Sequence, residues 1–153
     1  MPDAANLGIV RPPLVYLGTI AAGSALEFAW PTEFLPGVAA AVTGTVLVVA
    51  AVALFVYAVG RFQAAGTPVP GNRPTTAIVR AGPYRFSRNP IYVAFSLLQL
   101  GIALWAGSLW LIGTLAVAIA LMATLVIPRE ERYLEMKFSA EYLDYKNSVR
   151  RWV

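Results

Sequence analysis

Four apolar runs divide the chain. Leu14–Ala29 is the first and ends beside Glu27 and Trp30, and Leu35–Val59 is the second and holds no charge. Ile91–Trp105 is shorter and is interrupted by Gln99; Leu109–Ile127 is the fourth. A helix crosses a hydrocarbon core with roughly 20 apolar residues, so the first and third runs reach that length only by borrowing their flanks. The pattern predicts an all-α, integral-membrane fold with four transmembrane helices, over about 12–30, 35–59, 90–106 and 108–127. Only "AGS", residues 106–108, separates the third and fourth runs, which predicts an antiparallel helical hairpin. The first run is not expected to be a cleaved leader, because its flank is weakly basic and no small-residue cleavage site clearly follows.

After Pro128 the periodicity changes. Leu134, Phe138, Tyr142, Tyr145, Val149 and Trp152 recur at steps of three and four, the repeat of one helical face. An amphipathic C-terminal helix over 128–150 is predicted, starting at Pro128, with Glu130 and Glu131 in the first turn where the helix dipole favours carboxylates. Between the second and third runs lies 61–89, rich in Gly, Pro and Thr ("AAGTPVPGNRPTTAIVRAGPYR"). Its prolines argue against regular helix, and connectors of this length are usually functional or disordered.

Composition narrows the class. Of 153 residues, 58% are hydrophobic and 13% are charged, too few charges to cover a water-facing surface, so lipid is the expected solvent and a single membrane-embedded domain the expected unit. The chain has no Cys and no His, which removes disulfides, thiolate nucleophiles, Ser-His-Asp triads and the usual zinc ligand sets. No metal site is expected. Eleven of the twelve Lys and Arg fall in the 61–89 loop (Arg61, Arg73, Arg80, Arg85, Arg88) or after the fourth run (Arg129, Arg132, Lys137, Lys146, Arg150, Arg151). The connections at 30–34 and 106–108 carry none, and Trp30, Trp105 and Trp110 cluster there. Positive-inside logic puts both termini and the long loop in the cytoplasm, with the tryptophans as an interfacial belt on the other side. The net charge of +4 is read as topology and headgroup attraction, not as nucleic-acid binding.

One stretch is unexpectedly polar. "GPYRFSRNPIY", Gly82–Tyr92, runs straight into the third apolar run. The hairpin brings this entry next to Glu130 and Glu131, although some 40 positions separate them. Taken singly, Arg85 or Arg88 could be headgroup anchors, and the two glutamates dipole partners. Together they outline the rim of a pocket at the membrane face.

"GPYRFSRNPIY", a hydrophobic hairpin and then "REERYLEMKFSAEYLDYKNSVRR" resemble the isoprenylcysteine carboxyl methyltransferase family, one of a wider group of integral-membrane methyltransferases that includes the phosphatidylethanolamine N-methyltransferases. The resemblance covers roughly Gly66–Arg151. It implies S-adenosylmethionine as methyl donor, held between the loop, the third-helix entry and the tail, with S-adenosylhomocysteine as product. The motif G-x-Y-x-x-x-R-H-P-x-Y falls on Gly82, Tyr84, Arg88, Asn89, Pro90 and Tyr92, and the cofactor-lining stretch before it on Thr76, Ala77, Ile78 and Val79. The acidic pair falls on Glu130 and Glu131, and Lys137 and Arg129 are the candidates to meet an anionic group. Asn89 stands where His is usual, Ala94 and Ser139 where Gly is common. Asn89, Arg129 and Lys137 are thus the catalytic candidates, Asn89 acting by orientation because an amide cannot titrate.

The expected reaction is methyl transfer to a lipophilic acceptor, such as the carboxylate of a prenylated cysteine-like group, entering from the bilayer. A carboxylate of pKa ~4 needs no base. The alternatives are a phospholipid-headgroup N-methyltransferase, a small-thiol S-methyltransferase, a sterol-reductase-like membrane reductase and a non-enzymatic membrane interaction protein. Neither the acceptor nor the oligomeric state is readable from the residues.

Overall fold

The computed structural model describes residues 11–34, 37–69 and 74–153. The expected start of the second span at 35–36, Arg73 and the part of the loop from 70 to 73 lie outside the described residues. The described chain is helical: α1 (Pro12–Ala29), α2 (Val38–Ala64), a short 3-10 turn (Gly82–Arg85), α3 (Pro90–Ala106), α4 (Leu109–Leu121), a π-turn (Met122–Val126), α5 (Ile127–Phe138) and α6 (Ala140–Ser148). Prolines open α1 and α3, where a missing N–H costs nothing. Gly107 ends α3 in the left-handed region at φ 59°, and the Ser108 hydroxyl caps α4 by accepting from Leu111 N at 3.2 Å. The three-residue hairpin is therefore built as expected.

Among the described residues, two helices are long and apolar enough to cross a membrane by length and composition: α2, of 27 residues, and the 30-residue helix Leu109–Phe138. α3, at 17 residues, is shorter, and α1 has 18. Most of α2 faces outward, with Val38, Val42, Val46, Val49, Val52 and Val56 all exposed. An apolar surface of that extent suits contact with lipid.

Packing follows residue size. α2 lies chiefly along α3 and α1 along α4. α2 and α3 approach at Gly44 and Gly101, where a Cβ on Gly101 would stand 2.9 Å from the Gly44 carbonyl oxygen and 2.7 Å from a Val48 methyl. Small residues allow this approach in lipid, where van der Waals contact replaces the hydrophobic drive. Gln99, the polar interruption of the third run, is fully buried. It accepts from Thr19 Oγ1 at 3.0 Å and donates to Leu111 O at 3.3 Å and Thr114 Oγ1 at 3.2 Å, tying α3 to α1 and α4. At one end Glu27 collects the Thr32 amide and hydroxyl and the Ser108 hydroxyl, each at 2.6 Å. Trp110 donates to Trp30 O at 2.9 Å, and Trp105 to Ala41 O at 3.2 Å, so the three tryptophans share that end.

Three boundaries differ from the sequence expectation. Arg61 sits on α2, not in the loop, because no breaker intervenes before Gly66, whose φ is 63°. No new helix begins at Pro128. The helix runs on from α4, and the π-turn, with Ile127 N bonded to Met122 O, absorbs a proline that an unbroken α-helix would not accommodate. Finally, the single helix expected over 128–150 is two, broken at Ser139, where φ is 47° and ψ −119°. The bend folds Tyr142, Tyr145 and Val149 back with Leu134 and Phe138 around Ala58, Phe62, Val79 and Tyr84.

Two predictions follow from these joints. Ser139→Gly relieves a backbone conformation that L-residues avoid, worth about 1–2 kcal/mol against roughly 0.5–1 of added chain entropy. A modest rise in thermal midpoint is expected in a detergent melt; a fall would mean the serine itself makes the turn. Gly101→Ala forces the α2–α3 backbones apart and is expected to lower the midpoint, whereas Gly113→Ala, which faces open space, leaves it unchanged.

Candidate functional site

At the end away from Trp30, Trp105 and Trp110, α1, α2, α3 and α5 surround a cavity of about 730 Å³. Its size is that of a small-molecule or cofactor pocket. The apolar part is walled by Leu14, Phe55, Val59, Ile91 and Phe95. The polar part holds Thr75, Tyr84, Arg88, Asn89, Glu130 and Glu131. The hairpin accounts for this meeting: Pro90 starts α3 beside Asn89, and the helix that returns from Gly107 delivers the two glutamates to the same level.

The glutamates are held differently. Glu130 accepts one hydrogen bond, from the buried Tyr92 hydroxyl on α3 at 2.5 Å. Glu131 is enclosed by cations: Arg88 Nη1 lies 2.9 Å from Oε1, Arg151 binds both oxygens through Nε at 3.0 Å and Nη2 at 2.8 Å, and Lys146 Nζ stands 3.9 Å away. Only 6–7% of either residue is exposed, so each charge sits where unmatched charge is costly. The fork on Glu131 is the bidentate geometry that suits a guanidinium. Lys146 is drawn instead to Glu135, at 2.5 Å.

Several polar atoms on this wall have no protein partner. They are Thr75 Oγ1, Tyr84 Oη, and Nε and Nη1 of Arg88, whose 2.9 Å approach to Glu131 is off the hydrogen-bonding direction. Buried polar groups are almost always satisfied, so unpartnered atoms on three residues that line one cavity mark a wall with hydrogen-bonding capacity to spare. Tyr84 is fixed from behind, its carbonyl accepting from Tyr145 Oη at 2.8 Å and its ring meeting Phe62 edge-on at 5.1 Å. Burial pushes the Tyr142 phenol up to about 12, with the Glu131 charge adding to it, so this wall residue is a neutral hydroxyl at working pH.

The sequence candidates divide accordingly. Ala77, Ile78, Val79, Tyr84, Arg88, Asn89, Tyr92, Glu130 and Glu131 all line the cavity. Thr76 is exposed and its amide bonds Thr67 Oγ1 at 2.8 Å, while Gly82, at φ 62°, is a tight turn packed on Arg61 and Tyr57; neither reaches the cavity. Arg129 and Lys137 are exposed and also stand off the cavity, with Lys137 Nζ 3.2 Å from Tyr133 Oη. Asn89 donates to the Arg151 carbonyl at 2.9 Å. Residues the sequence did not single out for the site include Thr75, Tyr142, Tyr145 and Arg11 on the wall, and Arg151 behind it. The step of three from Tyr142 to Tyr145 signalled a shared face, but nothing marked which face met the loop.

A 64-residue stretch, 41% of the chain, is 42% identical to the whole of an uncharacterised protein of Haemophilus influenzae. A 73-residue stretch, 48% of the chain, is 38% identical to part of the cobalt-zinc-cadmium resistance protein CzcN of Cupriavidus metallidurans, of which it spans 33%. No solved structure matches. The model of the phospholipid methyltransferase family matches residues 37–141, from α2 through the loop, the hairpin and both cavity glutamates, and on that span the chain belongs to the phospholipid methyltransferase family.

Proposed function

We propose that the protein is a membrane methyltransferase that binds S-adenosylmethionine in this cavity and methylates a lipophilic acceptor. The observation that carries the reading is the set of polar atoms without a partner on cavity-lining residues, Thr75 Oγ1, Tyr84 Oη and Arg88 Nε, beside a carboxylate with a single hydrogen bond. When bound, the cofactor supplies an electrophilic methyl on a sulfonium. Its groups fit the donors present. The Arg88 guanidinium, whose Nε has no partner, suits an α-carboxylate, and Glu130 suits an α-ammonium or a ribose diol. Thr75 and Tyr84 offer hydroxyls, and the backbone of Ala77–Val79 offers amides and carbonyls to a base edge. Glu131 is already matched by Arg88 and Arg151, so its role is to hold Arg88 at the wall.

The acceptor's apolar chain belongs against Leu14, Phe55, Val59, Ile91 and Phe95, on the side of the cavity that meets the outward-facing helices. Catalysis then rests on alignment and on exclusion of water, which these side chains provide without a metal or a general base. An acceptor carboxylate, ionised at neutral pH, needs nothing more. The family description favours a second reading, transfer to a phospholipid amine, in which Glu130 or a water would have to take a proton. We also propose that α1 and α3 complete four spans, with the cavity and both termini on the cytoplasmic side.

Calorimetry of the detergent-solubilised protein with S-adenosylhomocysteine tests the cofactor. Glu130→Gln and Thr75→Val are each expected to weaken binding about tenfold, the scale of one lost hydrogen bond to a charged or buried partner. Glu131→Gln is expected to lower the melting midpoint as well, because it strips the acceptor from two guanidinium groups. Wild-type affinity in the first two variants would take the cofactor out of this cavity. Incubating membranes with labelled methyl donor then separates the acceptors: label released as methanol by mild base marks an ester, and base-stable label in a headgroup marks an amine.

Topology has its own test in this cysteine-free chain. Ala65→Cys and Leu109→Cys both fall on exposed positions at opposite ends of the helices. An impermeant maleimide added to intact cells is expected to label the second and not the first. Labelling of both would overturn the four-span orientation.

A further inference from the structure

The segment after α6 runs back behind the cavity and holds three of its lining residues without lining it. The amide of Arg88 donates to the Arg150 carbonyl at 2.9 Å. Asn89 Nδ2 donates to the Arg151 carbonyl at 2.9 Å. The Arg151 side chain grips both oxygens of Glu131. One residue further on, Trp152 packs against the core cluster that contains Tyr16, Tyr92 and Ile127. Two residues, 150 and 151, thus touch the turn before α3 and α5, the two pieces of chain that carry Arg88, Asn89 and Glu131. This segment lies beyond the 37–141 span of the family match.

We infer that the 150–152 segment is a brace for the ligand-binding wall and that Arg151 is its positioning residue, acting through Glu131 on Arg88. The inference rests on the cavity reading above for its ligand but not for its geometry. Glu131 sits between two guanidinium groups, with Arg151 on the outer side and Arg88 on the cavity side. Two cations bound to one buried carboxylate fix its rotamer. Remove the outer one and Glu131 can swing further onto Arg88, turning its 2.9 Å approach to Nη1 into a full hydrogen bond and drawing in Nε, which now has no partner. Asn89 has the corresponding job for the backbone. Its amide ties the turn to the tail at the position where the family resemblance has His, and an imidazole N–H could make the same bond to a carbonyl.

The full-length chain, wild type and variants, gives two independent readouts. The first is hydrogen–deuterium exchange of the ligand-free protein in detergent, followed at the Arg88 amide. Arg151→Ala and Trp152→Ala are each expected to raise its exchange rate at least tenfold while the α2 and α4 amides stay protected, and Arg151→Lys to raise it less. The second is the dissociation constant of S-adenosylhomocysteine in a double-mutant cycle. Arg151→Ala alone is expected to weaken binding about tenfold, and adding it to Glu131→Gln is expected to weaken binding no further, since it acts through that carboxylate. A purely structural contribution would give losses that add, and additive losses would overturn the positioning role. An unchanged Arg88 amide in both Arg151→Ala and Trp152→Ala would overturn the brace itself. If the wild type binds no S-adenosylhomocysteine while the Arg88 amide responds as expected, the brace stands and the cofactor assignment fails.

Discussion

A carboxylate closed off from water has to be answered by positive charge, and Glu131 is where this molecule meets that constraint. Arg88 reaches it from the turn before α3, Arg151 from the tail and Lys146 from α6. Breaking such a pair strands a buried charge at a cost of several kcal/mol, so the segments that supply the partners are not free to drift. Much of the remaining architecture at this end depends on it. The turn at Ser139 exists to send α6 back toward the hairpin, and the chain after α6 lies across the base of α3 because its arginine is needed there. Glu130, one residue earlier and pointing to Tyr92, is spared this duty and keeps capacity for a ligand.

The register that brings both glutamates inward is set by the π-turn. Residues in an α-helix advance by about 100° each, so one extra residue per turn rotates everything after it by about that angle. Met122 and Val126, on either side of the insertion, are fully buried against Tyr16 and Tyr92. Without the insertion, the face that meets α1 and α3 would not continue into the face that carries Glu130. Pro128 gives the insertion its place, since the ring lacks the donor an α-turn would use. A proline and a packed apolar core thus jointly aim an acidic pair.

What the residues alone revealed follows the range of the forces. Proline at helix starts, glycine at Gly107 and the apolar runs act within a few positions, and the helices they define are found with ends shifted by only a few residues. The meeting of Arg88, Asn89 and Glu130 was legible because a three-residue hairpin leaves no other geometry. Lys137 was read as a site cation from the family resemblance, with Arg129 as the second candidate, yet nearness in sequence to the acidic pair does not fix a helix face. Arg129 is turned about 100° away from Glu130, and Lys137 lies two turns along, on the order of 10 Å beyond it. Both are exposed. Arg151 had no such signal: it is 20 positions from its partner, past a break at Ser139 that helical periodicity passes over.

The break at Ser139 also explains why a continuous three-and-four spacing was compatible with two helices. Leu134, Phe138, Tyr142, Tyr145 and Val149 do share a destination, the cluster around Phe62 and Tyr84, but they reach it from two directions. A straight helix would extend that face in a line along the membrane surface, as an amphipathic anchor does. The bent pair closes it over the loop instead, so that Tyr145 can bond the Tyr84 carbonyl and Arg80 can pair with Asp144 at 2.8 Å. The apolar face of the tail is therefore spent on covering the 74–85 segment, not on lipid. That covering holds Thr75, Ala77 and Tyr84 against the cavity, and a loop that composition alone would leave mobile becomes one wall of a site.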